Sequence, residues 1–242
     1  MYTIPFLRAL VATAAIALVT PAMAAPVSGV LTLGDVAQAP ALGAIDLGSP
    51  ALLLGTASTL YEDDAPLTAG ALNLSGTAAA DVATLTHGMG LPGDAFDDMD
   101  KAAYAYEGAA ALATVDVRAG DTLHFDWRLF GQLATGPLPT FDAAWLVIGH
   151  DIVRLGDTSG TGTLQGGWLD FGLQHVSHTF TQTGAVRIGV VLTDLNSFDG
   201  TSVLAVQNLA LTPAVPEPES VALLLAGLGV VACARRRRQD GQ

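Results

Sequence analysis

Thr122–Phe130 alternates without a break, with Leu123, Phe125, Trp127 and Leu129 on one side and Thr122, His124, Asp126 and Arg128 on the other. A period of two belongs to a β-strand, because successive side chains point to opposite faces of a sheet. A strand with one apolar and one polar face must lie in a sheet packed across its apolar side and wet on the other. Arg118-Ala119-Gly120-Asp121 is a turn signal directly before it, and Ala111–Val117 is apolar before that. The two segments are therefore expected to form a hairpin on the outside of a two-sheet sandwich.

The rest of the central chain follows the same grammar of short apolar runs between turn residues. Val30–Leu33 and Ala51–Leu54 read as early strands, with Pro40 and Pro50 breaking the chain between them. Asp81–Thr86 reads as another strand, ended by His87-Gly88, and Asp97–Glu107 as a loop running into strand. Ala143–Ile148 is continuously apolar, which suits a strand buried on both sides, and Asp151–Leu155 is placed to pair back on it across Gly149-His150. Gly156–Gly167 reads as a surface loop, and Trp168–Leu173, His175–Thr181, Val186–Leu192 and Ser202–Leu211 as later strands. Asp194–Thr201 is a turn loop. The expectation is an all-β, single jelly-roll-like β-sandwich over residues 25–214.

The two ends of the chain differ from this middle. Met1–Ala24 has a cationic start at Arg8, an apolar stretch Leu10–Val19 and the small-x-small box Ala22-Met23-Ala24. That is the layout of a cleavable secretory signal peptide, with a mature start at Ala25. At the other end, residues 215–242 form a tail in which Pro216-Glu217-Pro218 precedes the uncharged run Val221–Ala234 and the cluster Arg235, Arg236, Arg237, Arg238. As a helix, the 14 residues of that run cover roughly 21 Å, short against a hydrocarbon core of about 30 Å. A buried core helix is one reading of it. A short C-terminal transmembrane helix, with the four arginines as its cytoplasmic stop, is the reading favoured by their position.

Pro-Glu-Pro, an apolar helix and an arginine cluster in that order resemble the PEP-CTERM sorting signal. The resemblance implies an exported protein held at the inner membrane by its tail. An exosortase-type sorting enzyme then processes it, and it reaches the cell surface or extracellular matrix, in bacteria that make exopolysaccharide and biofilm. Glu107-Gly108-Ala109 and Val117-Arg118-Ala119-Gly120-Asp121-Thr122-Leu123-His124-Phe125-Asp126-Trp127 are similar to a pattern of the surface β-sandwich domains that precede such tails. Gly184–Val190, Asp194, Ser202-Val203-Leu204 and Asn208 are similar to their closing strands, with Gln207 where an Asp is common. This second resemblance implies the fold and carries no catalytic residues.

Charge and chemistry narrow the function classes. Residues 25–214 hold five basic side chains (Lys101, Arg118, Arg128, Arg154, Arg187) against 20 acidic ones, a net charge near −15. Such a surface repels phosphate backbones, which argues against nucleic acid as a partner. The only cysteine, Cys233, lies in the tail, so residues 25–214 must fold on their core without disulfides.

The densest acidic cluster is Asp94, Asp97, Asp98 and Asp100, a calcium candidate by carboxylate supply, though without the EF-hand glycine and terminal glutamate. A solvated acidic loop is the plainer reading. His175 and His178, three apart on a strand, face opposite ways and make poor joint ligands. No nucleophile elbow and no His-Glu-x-x-His is present, so no catalytic residues are assigned and no enzyme is expected. Trp127 and Trp145 sit among apolar residues. Trp168, beside Gly166-Gly167 and Asp170, is the tryptophan expected to be exposed. The function expected is structural or adhesive at the cell surface. The alternative is a secreted carbohydrate-binding module or carbohydrate-active enzyme on a jelly-roll scaffold.

Overall fold

The computed structural model describes residues 25–26, 29–59, 68, 70–132, 142–195, 200–214 and 225–230. The segment expected to be a signal peptide (1–24), Pro216-Glu217-Pro218 and the arginine cluster (235–238) lie outside the described residues.

The described residues between 25 and 214 form one compact unit of two sheets. The strands in chain order are β1 (Ala25–Pro26), β2 (Leu31–Leu33), β3 (Asp35–Leu42), β4 (Ile45–Gly55), β5 (Ala80–Asp81), β6 (Ala105–Val117), β7 (Thr122–Gln132), β8 (Ala143–Ile148), β9 (Asp151–Asp157), β10 (Thr163–Gln165), β11 (Trp168–Thr179), β12 (Gly184–Leu195) and β13 (Ser202–Thr212). The first sheet runs β10-β11-β7-β13-β4-β3, with β1 on β13. The second runs β2-β6-β12-β8-β9, with β5 on β6. The pairs are antiparallel, and the chain repeatedly crosses between the sheets, as in a jelly roll.

Between the sheets lies a core of Leu54, Leu123, Phe125, Trp127, Leu129, Leu146, Ile188, Val190, Leu192, Leu204 and Val206. The alternation of β7 is borne out: its odd-numbered positions from Leu123 to Leu129 are buried and His124, Asp126 and Arg128 are half-buried on the other face. β8 is buried as expected, and β9 pairs back on it across Gly149 at φ 64°.

The expected hairpin between β6 and β7 does not form. β6 pairs with β12 and β2, whereas β7 pairs with β11 and β13 in the other sheet. Alternation tells which side of a strand is buried, and two strands facing each other across a core alternate just as two neighbours do. The turn at 118–121 is therefore an arch between sheets. It closes by Asp121 N–H donating to the Arg118 carbonyl (3.0 Å), with Gly120 at φ 92°. The arch rests on the next crossing, from β11 to β12: Gly120 N–H donates to the Phe180 carbonyl (2.7 Å), and Phe180 N–H to the Asp121 carbonyl (2.8 Å).

Three further expectations are corrected. Asp81–Thr86 is not a strand: α1 spans Val82–Met89, with the Asp81 carboxylate accepting from Thr84 N–H (2.6 Å) and Gly90 closing it at φ 68°. The cap and the burial of Leu85 and Met89 outweigh the β-preference of the two threonines. Pro40 and Pro50 do not break the chain; they sit inside the β3–β4 pair, where its register shifts between Ala39 and Ala41. The loop expected over Gly156–Gly167 contains the end of β9 and all of β10, which pairs with β11.

The tail is described only at residues 225–230, which are helical. No helix among the described residues is long and apolar enough to cross a membrane.

Candidate functional site

The two sheets present their outer faces differently. Outside the second sheet, α1 and the segment 91–105 bury Leu85, Met89, Phe96 and Ala103 on Leu112, Trp145, Val147 and Val191. Phe96 and Trp145 rings lie 5.9 Å apart, and the Trp145 indole N–H donates to Thr193 Oγ1 (2.9 Å). Outside the first sheet, one end is also apolar: Leu42, Ile45, Ala51, Leu53, Phe130, Trp168, Val203 and Ala205 form a cluster. Trp168, expected to be exposed, is 7% exposed. The β3–β4 turn covers it: a Cβ on Gly166, at φ 57°, would lie 2.8 Å from Ile45 Cγ1, so the two turns pack together.

Beyond that cluster the same face turns polar, in rows across β11, β7 and β13. In the first row Arg128 forks onto Asp170, with Nε donating to Oδ1 (2.9 Å) and Nη2 to Oδ2, and also donates to Gln165 Oε1 (3.0 Å). Its guanidinium lies 5.1 Å from the Phe130 ring centre. The Arg128 side chain holds the Asp170 carboxyl below the usual carboxylate range.

The second row is centred on Asp126. One carboxylate oxygen meets His175 Nδ1 (2.8 Å), and the other accepts from Asn208 Nδ2 (2.6 Å). The hydrogen bond from Asn208, and then that to His175, hold Asp126 below the usual range. Asn208 reaches it because β13 bulges: the register shifts between Gln207 and Ala210, and Asn208 takes φ 54°. Asn tolerates this left-handed conformation better than most residues, and the bulge re-aims its side chain. In the third row Thr212 Oγ1 lies 3.3 Å from His124 Nδ1, and Thr122 and Thr179 hydroxyls are 3.2 Å apart. His175 is 60% exposed and Asp126 26%.

This is an open set of carboxylate, amide, imidazole and hydroxyl groups fixed on rigid strands. It can exchange hydrogen bonds with a polyhydroxylated ligand. As expected, His178 lies on the other side of β11, with its ring 5.0 Å from Phe180 and edge-on to it. Trp127 and Trp145 are core residues, 8% and 7% exposed.

Asp94, Asp97, Asp98 and Asp100 are not brought together. Asp97 Oδ1 accepts from Ala105 N–H (2.9 Å), Asp98 pairs with Arg154, and Asp94 and Asp100 are exposed. Arg154 in turn reaches Asp157 (2.7 Å) and lies over Trp145. Among the described residues no three His, Cys, Asp or Glu side chains are arranged to hold a metal ion.

Sequence reasoning singled out the alternation that exposes His124, Asp126 and Arg128, but not their partners. His175, Asn208 and Asp170 come from strands distant in sequence, and the bulge that turns Asn208 has no sequence marker such as glycine.

Residues 214–238 match the family described as the PEP-CTERM protein-sorting motif. The chain carries a PEP-CTERM sorting signal. The match begins at Ala214, two residues after β13 ends. A PEP-CTERM tail implies an exported protein and processing by exosortase. No curated protein matches the chain at a significant level. The solved structure of TmCBM61 in complex with β-1,4-galactotriose is similar over 78% of this chain and 90% of its own, at 11% identity and a TM-score of 0.35.

Proposed function

We propose that the protein is a non-enzymatic surface or matrix protein, anchored by its tail at the inner membrane until exosortase processes it. At the surface it contributes to adhesion by holding exopolysaccharide. The sorting motif placed directly after a β-sandwich carries this reading. The polar face around Asp126 supports the adhesive part. It offers donors and acceptors suited to sugar hydroxyls, and no serine or cysteine hydrogen-bonds His175 among the described residues. With every tryptophan buried, sugar would be held by hydrogen bonds rather than by an indole platform.

Fractionation and intact mass of the native protein, in cells with and without the sorting enzyme, test the first part. The expected mature protein starts at Ala25 and lacks everything downstream of 216–218; an unprocessed C-terminus in normal cells overturns the sorting reading. Retention of the tailless domain on the cells' own exopolysaccharide tests the second. Asp126→Ala is expected to lower it several-fold, and no retention of the unaltered domain would remove the adhesive role.

A further inference from the structure

A strand at the end of a sheet presents a row of backbone N–H and C=O groups that another strand can pair with, and proteins blunt such edges with charge, proline or brevity. Three of the four sheet ends follow that rule. β3 carries Pro40, β9 carries Asp151, Arg154 and Asp157, and β2 is three residues long with Asp116 on β6 beyond it. The fourth end does not. β10 pairs only with residues 168–170 of β11, and among the described residues no strand pairs with the outer side of 173–179.

Residues 173–179 read Leu-Gln-His-Val-Ser-His-Thr, without Asp, Glu, Lys, Arg or Pro. They keep one register on β7, from Leu173 opposite Arg128 to Thr179 opposite Thr122, because the bulge of β11 lies before them, between Asp170 and Leu173. The strip is therefore straight, roughly 24 Å long at about 3.4 Å per residue. Leu173, Gln174, His175, Ser177 and Thr179 are exposed, Leu173 at 61%. The acids that flank it are engaged. Asp170 is forked to Arg128, Asp126 is held by Asn208 and His175, and Asp121, 5% exposed, accepts from the backbone N–H groups of Arg118 and Ala214.

We propose that this edge is a self-association surface, on which a second copy of the chain pairs antiparallel about a two-fold axis at Val176. An antiparallel edge is its own complement, since a two-fold axis sets each donor against an acceptor of the other copy. Charge selects the copy and the place. Two domains of net charge near −15 repel, so they meet at least cost along a strip that brings no acid against acid. The axis at Val176 uses the whole strip: Val176 faces Val176 of the other copy, Gln174 faces His178, His175 faces Ser177 and Leu173 faces Thr179. No acidic or basic side chain other than histidine enters the seam. The axis stands perpendicular to the joined sheet, so the polar faces around Asp126 of both copies lie on the same side of it, and a long ligand could span them. The pairing does not depend on what that face binds.

The test is the dissociation constant of the dimer, measured by sedimentation equilibrium of the full chain in detergent. The unaltered chain is expected to be a dimer. Leu173→Glu with Thr179→Glu sets carboxylates opposite each other at both ends of the seam, and like charges so placed destabilise pairing. That double variant is expected to dissociate several-fold more readily, as is Leu173→Lys with Thr179→Lys. An equal mixture of the two double variants is expected to regain the dimer, with one chain of each kind. Misfolded chains would not be rescued by mixing, so recovery also shows that the variants fold.

A monomeric unaltered chain overturns the proposal. A dimer equally tight in both double variants means that the copies meet elsewhere, and also overturns it. Two weakened variants that do not recover on mixing overturn the antiparallel register at Val176. None of these outcomes bears on retention of exopolysaccharide, which tests the polar face separately.

Discussion

The two outer faces of the sandwich begin from similar strands and end differently. On the second sheet, Ala110, Leu112, Trp145, Val147 and Val191 point outward, and the chain supplies α1 and residues 91–105 to cover them. On the first sheet, Phe130, Val203 and Ala205 are covered at one end, while His124, Asp126 and Arg128 are half-buried at the other, with His175 and Asn208 exposed beside them. An apolar outer face is a demand for a cover, because burial of such side chains drives the local fold. A polar outer face satisfied by its own cross-strand partners needs none, and is free for a ligand. The comparison locates stability on the covered surfaces and leaves the uncovered one to the binding role proposed above.

The largest effect should come from the covered surfaces. Phe96 and Phe130 are fully buried, and replacing either by alanine should cost about 3–5 kcal/mol in denaturant unfolding of the tailless domain. If Phe96→Ala costs no more than an exposed substitution, the cover over the second sheet is not part of the folded unit and the contrast fails.

Next comes the border between the two halves. Asp170 is 8% exposed and forked to Arg128, so Asp170→Asn should cost about 1–3 kcal/mol at neutral pH. Its folded pKa is lowered, so its contribution is present above the unfolded carboxylate range and is lost as pH falls through the folded value. Acidification should therefore destabilise the unaltered domain more than Asp170→Asn, read from melting temperatures across the acid range. Asp35 works the other way. Burial raises its pKa despite hydrogen bonds from Leu74 and Ser75, so its protonation favours the fold below the unfolded carboxylate range, and that contribution fades as pH rises through the raised value. An identical acid response in both proteins would show that the Arg128–Asp170 pair carries no linkage.

On the open half, His175→Ala should cost under about 0.5 kcal/mol while lowering retention on exopolysaccharide. Phe125→Ala, on the core side of the neighbouring strand, should cost about 3–5 kcal/mol. Equal stability losses at His175 and Phe125 would mean the polar face is structural.

The smallest expected change is with chelator. A specific calcium site would stabilise by about 2.7 kcal/mol at a hundredfold excess over Kd. Asp97 and Asp98 are committed to Ala105 and Arg154, so EDTA should shift the melting temperature only slightly. A large calcium-dependent shift lost in the Asp97→Ala, Asp98→Ala double variant would restore the calcium reading of that loop.

What was legible in the sequence is local chemistry. A period of two along Thr122–Phe130 assigns each side chain to a face whatever its neighbours are, so the all-β class, the burial of Phe125 and the exposure of His124 could be read directly. A linear motif such as Pro216-Glu217-Pro218 with its apolar run and arginines is likewise written in consecutive residues, which is how a sorting enzyme reads it. The tertiary structure decided everything that depends on which strands meet. β6 and β7 adjoin in sequence but lie in opposite sheets, because each finds its hydrogen-bond partners on strands far along the chain. Asp126 becomes a site only when β11 and β13 bring His175 and Asn208 to it, and Trp168 becomes core only when the β3–β4 turn folds over it. Backbone pairing is nearly blind to side-chain identity, so a strand's pattern sets its orientation, while its partners are chosen by the packing of the whole chain.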